Sequence, residues 1–203
     1  MNLYIMDYKE KATLFKIRNN VIEMLNDRKY NIEPEIKNLD IDQFIASYDN
    51  ENINFTVDNK IHVYFFQENK SFGKNDLKNI YNKVKEEEGD SIKLIIILKG
   101  KCIETIRVEL NDIKYKNVEI FSQNQLKFNI TKNYLVPKHI LLNEEEKQEV
   151  FKKYNTKDGK QFQKILKSDP IAKYYGMQKD DMCKIIRPSP SSGICTSYRV
   201  VIL

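Results

Sequence analysis

In the segment LFKIRNNVIEMLNDRKY, apolar side chains recur three and four positions apart, at Leu14, Ile17, Val21, Met24 and Leu25. That spacing predicts one face of an amphipathic helix. Pro34 and the charged residues around it break the pattern, and a shorter helix is predicted through Phe44, Ile45 and Tyr48 with Asp40 as its cap. The period then changes to two. Ile53, Phe55 and Val57, followed by Ile61, Val63 and Phe65, alternate around the turn residues Asp58 and Asn59, which predicts a β-hairpin. Helical spacing returns through Leu77, Ile80, Tyr81 and Val84, with Gly89 placed to stop the helix. IKLIIILKG is a continuous apolar run, the pattern of a strand covered on both faces, and NVEIF is a further strand candidate. Strand, helix, buried strand is a βαβ-like order, so residues 1–132 are expected to form an α/β domain.

The character shifts around NITKNYLVPKH, and the domain boundary is placed there, with a second domain over 133–203. NEEEKQEVFKKYN predicts a short helix: Asn143 and Glu146 make a capping-box pattern, Glu144 and Glu145 lie at the first turn, and Lys152 and Lys153 lie at the last. In SDPIAKYYGM, Ser168 or Asp169 caps a helix, Pro170 suits its first turn and Gly176 ends it. MCKIIR is read as a strand, PSPSSG as a turn and ICTSYRVVI as a second strand. Its alternating sets are Ile194, Thr196, Tyr198, Val200 and Ile202 against Cys195, Ser197, Arg199 and Val201. Neither set is uniformly polar, so both faces are expected to be covered, one of them by another protein. No repeat and no low-complexity tract is seen.

The composition, 41% hydrophobic and 31% charged, is that of a globular chain with a core. The charge is +5 overall, but its distribution is uneven: residues 1–132 carry 21 basic and 21 acidic side chains, and residues 133–203 carry 13 and 8. A basic second domain can face nucleic acid or an acidic protein surface, or simply present a solvated lysine-rich face. Three widely spaced cysteines, Cys102, Cys183 and Cys195, with no CxxC pair, point to free thiols in a reducing compartment. With two histidines, His62 and His139, no zinc-ligand spacing exists. The start of the sequence has no apolar signal region and no apolar run reaches membrane-spanning length, so an intracellular, soluble protein without a membrane partner is expected.

The sharpest catalytic pattern is Asp58 followed by Glu68-Asn69-Lys70 beside a strand, the D…ExK arrangement in which two carboxylates hold Mg²⁺ and a lysine serves the attacking water. ExK triplets are common in a chain this rich in Glu and Lys, and Asp58 is equally a turn residue, so the structural reading is preferred. There is no GxGxxG, GxxxxGK[ST] or GxSxG, and neither Cys102 nor Cys195 has an adjacent histidine. His139 is read as a structural or interface residue. The residues by themselves describe a non-catalytic, two-domain protein with no cofactor of its own.

LVPKHILLNEEEKQEVFKKY, SDPIAKYYGM and KIIRPSPSSGICTSYRVV, which cover nearly all of 134–201, closely resemble the fifth of the subunits shared by eukaryotic nuclear RNA polymerases, together with its archaeal counterpart. VIEMLNDRKY, VYFFQENKSFGKNDLKNIY, LIIILKG and NQLKFNITKNYLVPKH resemble, more loosely, pieces of the eukaryotic N-terminal jaw, which archaeal versions lack. The resemblance implies a eukaryotic chain or one from a large DNA virus, acting in the nucleus or, if viral, in the virion or a cytoplasmic viral factory. It implies a nuclease-like α/β jaw domain beside incoming downstream DNA and a small α+β assembly domain with a mixed sheet, docked on the polymerase's largest subunit. Catalytic Mg²⁺ and nucleotide binding would belong to the large subunits. The family's Thr-Pro-Ser-Ala-like loop near DNA is replaced by GKCIETIRVE; Lys101 in it and Lys99 just before it are positioned for weak, non-specific phosphate contacts, and Glu104 opposes them. Arg187, Tyr198 and Arg199 are the expected interface anchors, Tyr198 being equally readable as core. Pro188 and Gly193 shape the turn, and Pro137, His139 and Lys184 complete the expected partner-facing set. The competing readings are a Mg²⁺-dependent nuclease and a stand-alone DNA-binding module.

Overall fold

The computed structural model describes residues 8–48, 53–88, 93–103, 106, 109–110, 115, 117–191 and 193–203. Gly89, the expected helix stop, and Glu104, the expected opponent of phosphate contact, lie outside the described residues. The chain divides into two compact units, Met1–Phe128 and Asn129–Leu203. Asn129 goes with the second unit: its side-chain oxygen caps a 3₁₀ turn at Ile130–Lys132, and its amide donates to the Tyr174 hydroxyl at 3.1 Å.

The first unit is an α/β layer structure. Helix α1 (Tyr8–Asp27) buries Leu14, Ile17, Val21, Met24 and Leu25, with Arg18 and Ile22 beside them. Arg18 tolerates burial because its guanidinium donates to the Ile36 carbonyl at 3.0 Å and lies over the Phe55 ring; burial pushes its pKa down. Pro34 does not merely interrupt the helical pattern. It begins a one-turn helix, α2 (Pro34–Lys37), where its fixed φ and missing N–H fit the first position. Helix α3 (Ile41–Ser47) starts at Asp40 with a full capping box.

Strands β1 (Phe55–Val57) and β2 (Ile61–Phe66) form the hairpin, and Asp58 and Asn59 both have positive φ, 55° and 48°, as a primed turn requires. Helix α4 (Lys74–Glu88) carries the chain across to β3 (Lys93–Leu98), which runs parallel to β2, and β4 (Val118–Ser122) runs parallel to β3. The sheet order is β1-β2-β3-β4. Leu94, Ile96 and Leu98 pack with Leu77, Ile80 and Val84 on the α4 side. The row Phe55, Val63, Ile95, Glu119 lies on the other side and meets α1 through Arg18 over Phe55 and a two-bonded Arg28–Glu119 pair. The continuous apolar run is thus a central parallel strand buried on both faces. Helix α5 (Gln123–Leu126) closes the unit and is tied to α1 by Asn20 donating to the Leu126 carbonyl at 2.7 Å.

The second unit is a mixed sheet in the order β5-β7-β8-β6. It comprises β5 (Lys138–Leu141), β6 (Gln163–Leu166), β7 (Met182–Ser189) and β8 (Gly193–Ile202), with β6 parallel to β8 and the other pairs antiparallel. Helix α6 (Glu144–Lys153) has the Asn143–Glu146 capping box and its two buried side chains, Val150 and Phe151, pack on Met182 and Val200. Helix α7 (Pro170–Tyr174), capped by Asp169 rather than Ser168, delivers Ala172 to the opposite face against Ile165, Cys183, Ile185 and Val201. Gly176 follows it at φ 63°, the left-handed position that ends the helix. One correction concerns PSPSSG. Pro188 and Ser189 are still paired in β7, opposite Ile194 and Gly193, so the turn is shorter than expected. Pro188 is accommodated because β5 ends its pairing at Ile186, so β7 has a neighbour on one side only there.

Candidate docking surface

Pairing register decides which of the expected interface residues share a surface. Lys184 lies opposite Tyr198, Pro188 opposite Ile194, Arg187 opposite Cys195, and Cys183 opposite Arg199; His139 of β5 lies opposite Ile185. Because side chains alternate across a sheet, Lys184, Pro188 and Tyr198 belong to the α6 side, with Val200 and Met182. His139, Arg187, Gly193 and Arg199 belong to the α7 side, with Cys183 and Val201. Pro137 lies just before β5. The eight residues therefore do not converge on one patch.

Several of them are also engaged within the chain. Tyr198 is half-buried and packs edge-on against Tyr154 and Phe162, at 5.8 and 6.3 Å between ring centroids. It is thus the outer member of the aromatic cluster that seats α6. His139 Nδ1 donates to the Pro137 carbonyl at 2.7 Å, which fixes the ring locally. Arg199 is half-buried, with its Nε atom buried and unpartnered, beside the buried Cys183 thiol, whose pKa burial pushes up. Arg187 and Pro188 are exposed. The residue that sequence reasoning passed over is Ile194, 68% exposed at the start of β8. The available signal was a β-branched apolar residue directly after a turn glycine, too far along the strand for the cluster around Val200 to cover.

The D…ExK residues are not assembled. Asp58 precedes β2 and Glu68 follows it, and the strand between them spans about 16 Å at ~3.3 Å per residue. Two ligands of one ion each lie within about 2.0–2.6 Å of it, so these carboxylates do not share a cation. Asp58 instead pairs with Lys60 at 2.9 Å, and Lys70 bridges Glu68 at 2.8 Å and Asp76 at 3.0 Å. Hydrogen bonding to Glu68 and then Asp76 raises the Lys70 pKa, the reverse of what a lysine acting as a base needs. Among the described residues no three His, Cys, Asp or Glu side chains gather to hold a metal.

Asp76 serves the fold instead. Its carboxylate accepts from the Gly73 amide at 2.9 Å at the start of α4, and this bond, then Lys70, lowers its pKa. A depressed carboxylate stabilises the fold above its unfolded pKa, and that stability is lost as pH falls through the folded value. Asp76→Ala is expected to cost about 1 kcal/mol at pH 7, with the gap to the unsubstituted chain closing below about pH 4. Urea midpoints at pH 7 and pH 3 check this; an equal gap at both would remove Asp76 as its source.

The two lysines expected near DNA are unequal. Lys99 is within 3.7 Å of Glu10, and its side chain is 21% exposed, whereas Lys101 is exposed. Their loop is held on the protein by backbone bonds, Phe72 N to the Lys101 carbonyl at 2.9 Å and Ile103 N to the Phe72 carbonyl at 3.2 Å. No helix among the described residues is long and apolar enough to cross a membrane.

Comparison with known proteins covers both units. The family model described as "RNA polymerase Rpb5, N-terminal domain" matches residues 8–84, and "RNA polymerase Rpb5, C-terminal domain" matches residues 128–201. A Dictyostelium discoideum protein, "DNA-directed RNA polymerases I, II, and III subunit rpabc1", is 31% identical over 93% of this chain and 97% of its own length. The Caenorhabditis elegans "DNA-directed RNA polymerases I, II, and III subunit RPABC1" is 29% identical over 97% of this chain and 99% of its own. An Arabidopsis thaliana protein, "DNA-directed RNA polymerase subunit 5-like protein 1", is 28% identical over 95% of this chain and 97% of its own.

Proposed function

The chain belongs to the RNA polymerase Rpb5 family, and on that premise we propose that it is a non-catalytic subunit of a DNA-directed RNA polymerase, working in the nucleus. The observation that carries this reading is the extent of the match: both family domains occur in order, and a relative named as a polymerase subunit aligns along nearly its whole length. The catalytic centre then lies in other subunits. The second unit docks on the largest subunit, most of the expected contact residues lying on the β7–β8 hairpin. The first unit, a nuclease-like α/β jaw without nuclease chemistry, lies beside downstream DNA.

The test is purification of the tagged full-length chain from its native source. Stoichiometric recovery of polymerase subunits, the largest among them, with nucleotide-incorporating activity in the complex and none in the isolated chain, is the expected result. Recovery of no polymerase subunit would end the reading, and the DNA-binding module would be examined next.

The jaw's DNA contact has its own prediction. In the assembled polymerase, Lys101→Ala should weaken binding to downstream DNA without sequence preference and reduce the salt slope by about 1. Lys99→Ala should leave the slope unchanged, because Glu10 already engages that ammonium. Titration of DNA binding against salt reads both; an unchanged slope in Lys101→Ala discards the contact.

A further inference from the structure

The sheet of the second unit is uniformly non-acidic. Its strands carry Lys138, Lys164, Lys184, Arg187 and Arg199 and contain no Asp or Glu, the unit's carboxylates lying in its helices and turns. Lys164 donates to the Gly159 carbonyl at 2.7 Å, and Lys147 and Lys160 pair with Glu144 and Asp158. Among the described residues, Lys138 and Lys184 have no ion-pair partner.

On the α6 side, register builds three rows that start at the edge of the cluster around Val150 and Phe151 and run away from it. Ile140, Lys184 and Tyr198 form the first, Lys138, Ile186 and Thr196 the second, and Pro188 with Ile194 the last. Ile140, Ile186 and Lys184 are half-buried, while Lys138, Pro188 and Thr196 are exposed, as is Ile194. We infer that this strip, Ile140, Ile186, Pro188 and Ile194 edged by Lys138 and Lys184, is the docking face of the second unit. Its occupant is a segment of a polymerase subunit that sets apolar side chains among Asp or Glu.

The inference rests on the subunit reading and adds to it the face used and the chemistry of the partner. Apolar rows ask for an apolar occupant. Two cations on a sheet without a carboxylate ask for an acidic one, and such complementarity fixes register and excludes wrong partners. Nucleic acid fits less well. Single strands are held by aromatic rings on which bases stack, and the ring at this strip, Tyr198, is packed edge-on against Tyr154 and Phe162. Arg187 projects to the other side, so the strip does not depend on it.

The experiment uses full-length tagged chains assembled with the purified polymerase largest subunit. Lys138→Glu combined with Lys184→Glu should reduce its retention about tenfold or more, and Ile194→Asp, at an exposed position that the fold does not need, should do the same. Arg187→Glu should stay within about twofold. A photo-crosslinking residue at Thr196 should mark a peptide of that subunit carrying Asp or Glu, and one at Ser197, on the opposite side, should mark it weakly.

If the strip variants bind as the unsubstituted chain does while Arg187→Glu fails, the face is wrong although the subunit reading stands. If the unsubstituted chain retains no largest subunit, the docking reading itself falls and the strip with it. A Thr196 adduct with nucleic acid would also overturn the proposal. Ile194→Asp keeps the test decisive if the double variant does not fold.

Discussion

With Phe151 replaced by alanine, residues 129–203 should lose about 3–5 kcal/mol of stability. Helix α6 is charged on every side but one, and Val150 and Phe151 are its two buried side chains. Phe151 lies 5.9 Å from Phe162, which in turn touches Tyr154 and Tyr198, so the ring that seats the helix also holds the tyrosine on β8. A unit of this size has a total stability of about 4–11 kcal/mol at ~0.05–0.15 kcal/mol per residue. The loss is therefore comparable with the whole. In Phe151→Ala, amides of β7 and β8 should lose most of their hydrogen-exchange protection, and the full-length chain should recover markedly less polymerase at 37 °C. A change below about 1 kcal/mol would mean that α6 is held by something other than its apolar stripe.

What the sequence revealed depended on how local each cause is. Helix α1 and strand β3 were legible because their periods persist for many residues and no partner is needed to see them. The Asp40 and Asn143 caps were legible because a capping box is three residues of chemistry. Strands β5 and β6 were not anticipated. Each is four residues long, and KHIL and QKIL become strands only by pairing with β7 and β8. The end of β7 was misjudged for the opposite reason. Pro188 and Ser189 look like turn residues, and only the missing neighbour on one side lets them remain in the strand.

The candidate site followed the same division. That Arg187 and Lys184 point to opposite faces was already implied by their odd spacing, but residue type, Arg and Tyr as common anchors, took precedence over parity. Which of them joins Lys138 or His139 across the sheet depends on register, which the Ser189–Gly193 pairing at the end of the hairpin sets. Lys99 looked available for phosphate because Glu10 is 89 positions away in sequence and adjacent in the fold. Asp58 and Glu68, by contrast, were separable from the sequence itself, since a whole strand was predicted between them.

Phe72→Ala should cost the first unit about 3–5 kcal/mol and should loosen the loop that carries Lys101. The ring is 0% exposed, stacks edge-on to Phe66 at 5.0 Å, and joins Leu77, Ile80, Leu98 and Ile106 in one cluster. Its backbone is equally engaged, bridging Cys102 and bonding Lys101 and Ile103. The two loops approach so closely because Gly100 has no side chain: a Cβ there would lie 2.5 Å from the Lys70 carbonyl oxygen. Removing the ring takes away the apolar anchor beneath this junction while leaving every backbone donor in place. Hydrogen exchange at the Phe72 and Ile103 amides should therefore accelerate well before the unit unfolds globally. Gly100→Ala should reproduce the local opening at the smaller cost of an overpacked site, about 1–3 kcal/mol. If Phe72→Ala lowers stability while both amides keep their protection, the ring supports the sheet alone, and the position of Lys101 does not depend on it. If both open together, the loop that carries Lys101, proposed above to face DNA, is held in place by a side chain that never reaches the surface.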